Sequence, residues 1–591
     1  MPSQTKTLTS GSVVLLLIAA SYLFAIRSEM HLYSFEPRYL HQLSISAAIS
    51  KLKYGLPGYL GYNAVLKILE PAFDNVADNY YEVNIQLNKY IAAATEPTTD
   101  ARHSYAGHSG THTLQSLIGP GLVNYYILSF LLFGYQFQSL LYFYFLLLAI
   151  QSIIFFLQFR TEEHFKVVLL LFLVAHYMTL TALRFPGNQL DAPNNYRFLP
   201  VLAILPMLHI CLLSLYRHRV NTLTIAGALA QALLLAFIIQ CRTSAYWTLA
   251  PIALLAVRGL YLLTRKTKLM TLEEMNAPPV EHGSLRSLAQ RWWPVLVAFS
   301  VVFSVGSFYR SQLAPVYATD PSQAAHTFWH PIFNGLALHP DIRLEYTGLT
   351  PNKFYFRLTP DGLAPDDNRT DRGFVEKIKQ NLSWITIQGH ANDQFSILAV
   401  ARRYVAVGKS PNDVFGEKAQ LNFDSIDFDW GGFQATAYDH EVGKLVLDVV
   451  LKHPILVLEQ VFIAKPVLFT WYYLTCYVPF QYECAFWGGR NTHFTEPLSL
   501  SVIFIGLTIA VTVSRNSSNN TMFGVLGILL LSFWGSLIPS LLIYPEPWII
   551  GDAVVVLTMC QLYFVLLFFR AVLNKAFAPQ AASRLKTQER K

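Results

Sequence analysis

Ten stretches of the chain are apolar over roughly the 20 residues a helix needs to cross a bilayer. They are Gly11–Ile26, Leu140–Phe159, Phe165–Leu183, Pro200–Tyr216, Leu223–Gln240, Tyr246–Leu263, Trp293–Phe308, Leu498–Val513, Thr521–Tyr544 and Ile549–Leu573. Two further runs, Ile118–Phe133 and Pro454–Tyr473, are ambiguous, and the second carries Glu459, Lys465 and Pro466 within it. Interruptions of that kind suit a helix lying on a membrane surface better than one crossing it. The pattern therefore predicts a polytopic α-helical membrane protein with about ten spans plus interfacial helices.

Charge sets the expected orientation. With the N-terminus cytoplasmic and both ambiguous runs interfacial, Arg217/Arg219, Arg265/Lys266/Lys268/Arg286/Arg291, Arg515 and Lys575/Arg584/Lys586/Arg590/Lys591 all become cytoplasmic. Positive-inside bias asks for that distribution. Counting both runs as spans would put the Arg265 cluster outside. The expected division is a transmembrane module over 1–308, with an external loop at 27–139 that holds a juxtamembrane helix. An extracytoplasmic mixed α/β domain with an interfacial helix follows at 309–497. Three spans and a basic cytoplasmic tail complete the chain at 498–591. The first apolar run leads into Arg27-Ser28-Glu29-Met30 rather than a small-residue cleavage site, so it reads as a retained helix.

Composition agrees with a bilayer as solvent: 53% of the 591 residues are hydrophobic and only 14% are charged. The net charge of +7 is spread in short clusters between apolar runs, which excludes a nucleic-acid surface as its purpose. No P-loop, Rossmann fingerprint or Cys-rich zinc module is present, which argues against nucleotide-driven transport. Cys211, Cys241 and Cys560 lie in or beside apolar segments. Cys476 and Cys484 share an expected external loop, where an oxidising compartment permits a disulfide. Short cytoplasmic connectors and no evident organelle signal point to a bacterial inner (plasma) membrane with both termini cytoplasmic.

Four local patterns stand beside the expected external face. Phe35-Glu36-Pro37-Arg38-Tyr39-Leu40 follows the first helix. Gly119-Pro120-Gly121-Leu122, Asn124-Tyr125-Tyr126 and Leu132-Phe133-Gly134 fill the first ambiguous run. Gly187-Asn188-Gln189-Leu190-Asp191-Ala192-Pro193-Asn194-Asn195-Tyr196-Arg197 links the third and fourth spans, and Gln240-Cys241-Arg242-Thr243 links the fifth and sixth. With the order of spans and loops, these resemble the GT-C class of glycosyltransferases. The nearest likeness is to the lipid A aminoarabinose transferases and, more loosely, the protein O-mannosyltransferases. The match covers Glu36, Arg38 and Tyr39, whereas the first acid of the family's pair is Phe35 here. The resemblance spans roughly residues 10–310.

What the resemblance implies is transfer of a sugar from a polyprenyl-phosphate donor to a glycan, lipid or protein acceptor, among membrane lipids, at the extracytoplasmic face. Such transfer needs a base for the acceptor hydroxyl and cations for the departing phosphate. Glu36 and Asp191 are the carboxylates for the first task. Arg38, Tyr39, Arg197 and Arg242 are contacts for substrate or phosphate. Each has a structural alternative: a solvated Glu36–Arg38 pair, a turn at Asp191, an Arg242 that snorkels to water. His326, Trp329 and His330 read either as a sugar pocket or as an aromatic belt with core histidines. A divalent cation, Mg²⁺ or Mn²⁺, is the one cofactor under consideration. Asp424, Asp427 and Asp429 could supply oxygen ligands for Mg²⁺ or Ca²⁺, but alternate with apolar residues as on a half-wet strand. His103, His108 and His112 fit no standard zinc spacing.

Two other functions compete. A ligase or polymerase of lipid-linked glycans shares the many-helix, large-loop plan. A transporter or flippase would show internal repeats and charges at mid-depth. Here no repeat is evident, and Asp552 is nearly the lone acid within the spans.

Overall fold

The computed structural model describes residues 38–55, 58–59, 61–62, 88, 112–113, 119–136, 138–182, 184–185, 189–190, 196–216, 221–257, 285–313, 328–348, 356–359, 362–365, 389–417, 419–421, 426–427, 434–473, 520–543 and 550–568. Helix α1 is Arg38–Tyr54 and α2 is Pro120–Phe133; α3 is Gln138–Phe159 and α4 is Glu163–Ala182. A 3₁₀ turn, Tyr196–Ala203, leads into α5, Ile204–Tyr216. Next come α6, Thr222–Cys241, then α7, Thr243–Val257, which opens with the 3₁₀ turn Thr243–Thr248, then α8, Leu285–Ser311.

Six of these described helical stretches are long and apolar enough to cross a membrane: Gln138–Phe159, Phe198–Tyr216, Thr222–Cys241, Trp292–Ser311, Gly524–Leu542 and Gly551–Phe568. Two more of the ten expected spans are described as the shorter apolar stretches Phe165–Leu180 and Thr243–Val257. The expected spans Gly11–Ile26 and Leu498–Val513 lie outside the described residues. The protein is thus a polytopic helical membrane protein. Exposed apolar side chains such as Leu131, Ile153, Leu229, Phe303 and Val565 coat the bundle, the polarity a lipid-facing surface requires.

Ring and hydrogen-bond contacts fix which helix ends meet. At one end, here the lower, Phe159 packs on Phe165 and Phe165 on Tyr216. There Gln158 Nε2 also donates to Thr224 Oγ1 at 3.1 Å. Midway, Gln231 Nε2 donates to the Gln151 carbonyl at 2.8 Å. At the upper end, Tyr144 Oη and His176 Nε2 share a 2.7 Å hydrogen bond, with Phe198 stacked on Tyr144. Neighbours in the order α3, α4, α5, α6 therefore alternate in direction. Phe198–Tyr216 is almost wholly buried and forms the centre. Its His209 ring lies against Phe155 and Phe159.

The 14 residues of α2 span only about 21 Å, short of the roughly 30 Å hydrocarbon core. This helix rests on the upper end of the bundle. A Cβ at Gly119 would lie 2.5 Å from the Gln240 carbonyl oxygen, and one at Gly121 would strike the Gln240–Cys241 peptide. Only glycine permits so close an approach of backbones. Helix α1 packs on α2 and buries Ile45, Ala47, Ala48 and Ile49.

The segment after α8 builds a second core. Helices α9 (Trp329–Leu336), α10 (Pro340–Thr347), α11 (Gly389–Ala406), α12 (Asn412–Phe415) and α13 (Ala435–Lys452) surround Phe333, Ile342, Phe395, Val400, Phe415 and Val442. A mixed α/β domain is expected here; among the described residues its core is helical. The described residues also form two antiparallel ladders, β5–β6 (Phe356–Thr359 with Gly362–Pro365) and β7–β8 (Gln420–Leu421 with Ile426–Asp427). Earlier ladders join β1 (Gly61–Tyr62) to β2 (His112–Thr113) and β3 (Arg184–Phe185) to β4 (Gln189–Leu190).

The second ambiguous run departs from expectation. It is α14 (Pro454–Glu459), a π-helical turn (Gln460–Ala464) and α15 (Lys465–Tyr472). Lys465 Nζ donates to the Leu541 and Leu542 carbonyls, at 2.8 and 3.2 Å, at the upper end of α16, Asn520–Leu542. Phe469 then meets Phe533, and Tyr473 Oη donates to Gln561 Oε1 at 2.8 Å in α17, Gly551–Phe568. The run does not lie flat throughout: from Lys465 it descends into the bundle antiparallel to α16. The lysine that argued against descent supplies donors to carbonyls a helix end leaves unsatisfied.

Candidate functional site

Three distant segments converge where α2 crosses the bundle. Asn124 Nδ2 donates to Tyr59 Oη at 2.8 Å, and Tyr309, near the end of α8, lies beside this pair. The Tyr59 and Tyr309 rings lie 6.3 Å apart, and Gly58 forms an isolated parallel bridge with Leu313. Lys51 Nζ, from the last turn of α1, sits 3.9 Å from the centroid of the Tyr59 ring, a cation–π contact. Burial lowers the Lys51 pKa and raises that of Tyr59, the latter opposed by the Asn124 hydrogen bond. Tyr59 has φ of 62°, a left-handed conformation rare for a bulky residue. Its aromatic and hydroxyl contacts hold it there.

Arg242 follows the glycine-covered end of α6. Its N–H bonds the Ile238 carbonyl at 2.9 Å, and its own carbonyl accepts from Ala245 N at 3.0 Å. That geometry turns the chain sharply into α7 and leaves the half-buried Arg242 side chain at the upper rim. A few residues on, Trp247 Nε1 donates to Asp552 Oδ2, and Asp552 Oδ1 accepts from Ala553 N at 2.8 Å. Gly535 of α16 lies against the Trp247 ring. A guanidinium, an ammonium, two phenols and a carboxylate therefore belong to segments of one end of the bundle.

Arg38 and Tyr39 begin α1. Arg197 lies in the 3₁₀ turn at the upper end of α5, and β3–β4 precedes it. Glu36, Asp191 and His326 lie outside the described residues. Trp329 and His330 belong instead to α9, at the edge of the second core. There Ser396 N donates to Asn334 Oδ1 at 2.9 Å, which turns Asn334 Nδ2 toward His330 Nε2, 3.2 Å away. An amide nitrogen only donates, so Nε2 must accept and Nδ1 carries the proton. Nδ1 lies 2.8 Å from Ser396 Oγ and 2.7 Å from Tyr438 Oη, and the tyrosine donates to the serine at 2.8 Å. In this tautomer His330 is a donor to Ser396 and not its base. The network ties α9, α11 and α13 together.

Of the acidic and imidazole clusters, only Asp427 and His112 are described, each in a two-residue strand. Among the described residues no group of three His, Cys, Asp or Glu is gathered to hold a metal. Lys51, Tyr59 and Tyr309 escape a reading of the sequence, since no local motif marks residues that meet only through folding. No protein-family model, curated protein or solved structure matches the chain.

Proposed function

We propose that the protein is a GT-C-type membrane glycosyltransferase, taking a sugar from a polyprenyl-phosphate donor and passing it to a glycan, lipid or protein acceptor at the extracytoplasmic face. In this reading the upper end of the bundle faces out. The observation that carries it is the meeting of α1, α2 and the Arg242 turn at that one end. Helix α1 begins two residues after Glu36, and the β3–β4 hairpin leads directly into Asp191.

The chemistry assigns each group a task. Glu36 or Asp191 takes the proton from the acceptor hydroxyl. The acceptor oxygen then bonds to the anomeric carbon while the bond from that carbon to the phosphate oxygen breaks. The polyprenyl phosphate leaves with its charge met by Arg242, whose planar fork suits phosphate. Lys51 supplies a second cation at the same rim, held against Tyr59. A divalent cation, if used, would assist the same departing charge.

Purified protein in nanodiscs tests the reading, with a polyprenyl-phosphate hexose radiolabelled in the sugar and a cell-envelope acceptor fraction. Wild type transfers label, whereas Arg242→Ala lowers transfer on the order of 100-fold, the loss of one charge-stabilising group, and Glu36→Gln or Asp191→Asn, whichever is the base, lowers it by roughly 100-fold or more. Loss in Arg242→Ala with full activity in both carboxylate variants favours a lipid-linked glycan ligase or polymerase. Donor-independent movement of lipid across proteoliposomes would indicate a flippase.

A further inference from the structure

The stretch from α14 to the start of α15 is inside out for a protein in water. Gln460 and Lys465 are each only 1% exposed, while Ile455 is 76% and Phe462 68% exposed. In water the apolar side chains would be the buried ones. Against lipid the arrangement is the favourable one, because polar groups are costly there and apolar groups are not.

Exposed apolar side chains continue back along α13, which has a buried apolar face as well. One face of that helix, with Val442, Leu445 and Val449, fills the second core. A different face, at i, i+4 and i+8, holds Gly443, Leu447 and Leu451, and Leu451 is 71% exposed. Trp329 lies over Gly443, where a Cβ would come within 2.9 Å of its indole, and Phe328 stands beside it. An apolar stripe thus runs from Phe328 and Trp329, along α13, through Ile455 and Leu458, to Phe462. Its far end joins the upper rim of the bundle, because Lys465 is fastened to the end of α16. Aromatic residues at one end and continuity with a lipid-facing surface at the other identify the occupant as a bilayer.

We infer that the domain following α8 is sunk into the bilayer leaflet at the upper end of the bundle along this stripe, with α13 and not only the residues after it in contact with lipid. Lys444 and Lys452, each paired with a neighbouring carboxylate, flank the stripe, as residues at headgroup level do. The inference rests on the membrane setting and stands apart from glycosyl transfer.

Nitroxide labels at Leu451→Cys, Phe462→Cys and the water-exposed reference Asp413→Cys in proteoliposomes test it, with unsubstituted protein as the labelling blank. At both Leu451 and Phe462, collisions with oxygen should exceed those with a water-soluble nickel complex, the reverse of Asp413. Lipid-like collisions at Phe462 with water-like ones at Leu451 would overturn the inference, since only the later run would then touch lipid. Water-like collisions at both sites, or exclusion of both quenchers by a covering protein, would overturn it equally. A wild-type rate of sugar transfer, or none, alters neither result.

Discussion

Replacing Gly121 with alanine isolates the contact that seats α2 on the bundle. The new Cβ would lie 2.5 Å from the Gln240 carbonyl oxygen and 2.6 Å from Cys241 N, and it would strike the carbonyl carbon between them. Comfortable separations are about 3.5–4.0 Å, so α2 must retreat by roughly 1 Å. Its neighbours are backbone atoms of a packed helix and cannot rotate aside. Overpacking of this kind costs about 1–3 kcal/mol, and the upper part of that range applies where backbone meets backbone. Alanine returns up to about 1 kcal/mol through its better helix propensity, leaving a net loss of about 2 kcal/mol. Gly527, in α16, has no atom within 4 Å of its Cβ position, so Gly527→Ala should be neutral or stabilise by up to about 1 kcal/mol. Thermal unfolding in nanodiscs, followed by intrinsic fluorescence, reads both. A melting temperature several degrees below wild type is expected for Gly121→Ala and none for Gly527→Ala. Equal behaviour of the two variants would refute the close seating of α2, as would an unchanged Gly121→Ala.

Further outcomes follow from other contacts. Asp552→Leu strands the buried Trp247 N–H and should lower stability by about 1–3 kcal/mol, whereas Asp552→Asn retains an acceptor and should cost less; the same unfolding measurement compares them. Ser396→Ala removes the acceptor that Tyr438 uses. It should cost about 1–3 kcal/mol and raise hydrogen exchange in α9, α11 and α13 while leaving α3–α6 unchanged. Burial opposes ionisation of Asp448, but hydrogen bonds from Lys452 and Tyr346 outweigh it and hold its pKa below 3.8. A depressed carboxylate stabilises the fold above its unfolded pKa and loses that contribution as pH falls through the folded value. Exchange in α10 and α13 should therefore rise below about pH 3.8, and Asp448→Asn should remove that acid step.

Hydrophobic runs made the bundle legible, since a bilayer demands long apolar helices whatever their partners. Gln138–Phe159 and Thr222–Cys241 stand out by length alone. Partner choice was not legible: nothing local marks Phe198–Tyr216 as the buried centre, because lipid-facing and helix-facing leucines are chemically alike. Lys465 shows the opposite failure. A charge within an apolar run reads as a bar to descent, yet the carbonyls at the end of α16, 76 residues away, receive it. In the candidate site, Arg242 could be read from its place between two apolar runs. Lys51, Tyr59, Asn124 and Tyr309 could not, because the cluster exists only once α1, α2 and α8 meet. His330, read from the sequence as a sugar contact or a core histidine, takes its tautomer from the amide of Asn334, four residues on and invisible as a partner until Ser396 fixes it.

The central claim is that one end of this bundle binds a polyprenyl phosphate for sugar transfer. An electron cryomicroscopy structure of the protein in nanodiscs with a polyprenyl phosphate added tests it most directly. The account predicts phosphate density at the upper end, within hydrogen-bonding distance of the Arg242 guanidinium and beside the segment bearing Glu36. Phosphate density at the lower end, or at the upper end without contact to Arg242, would contradict it.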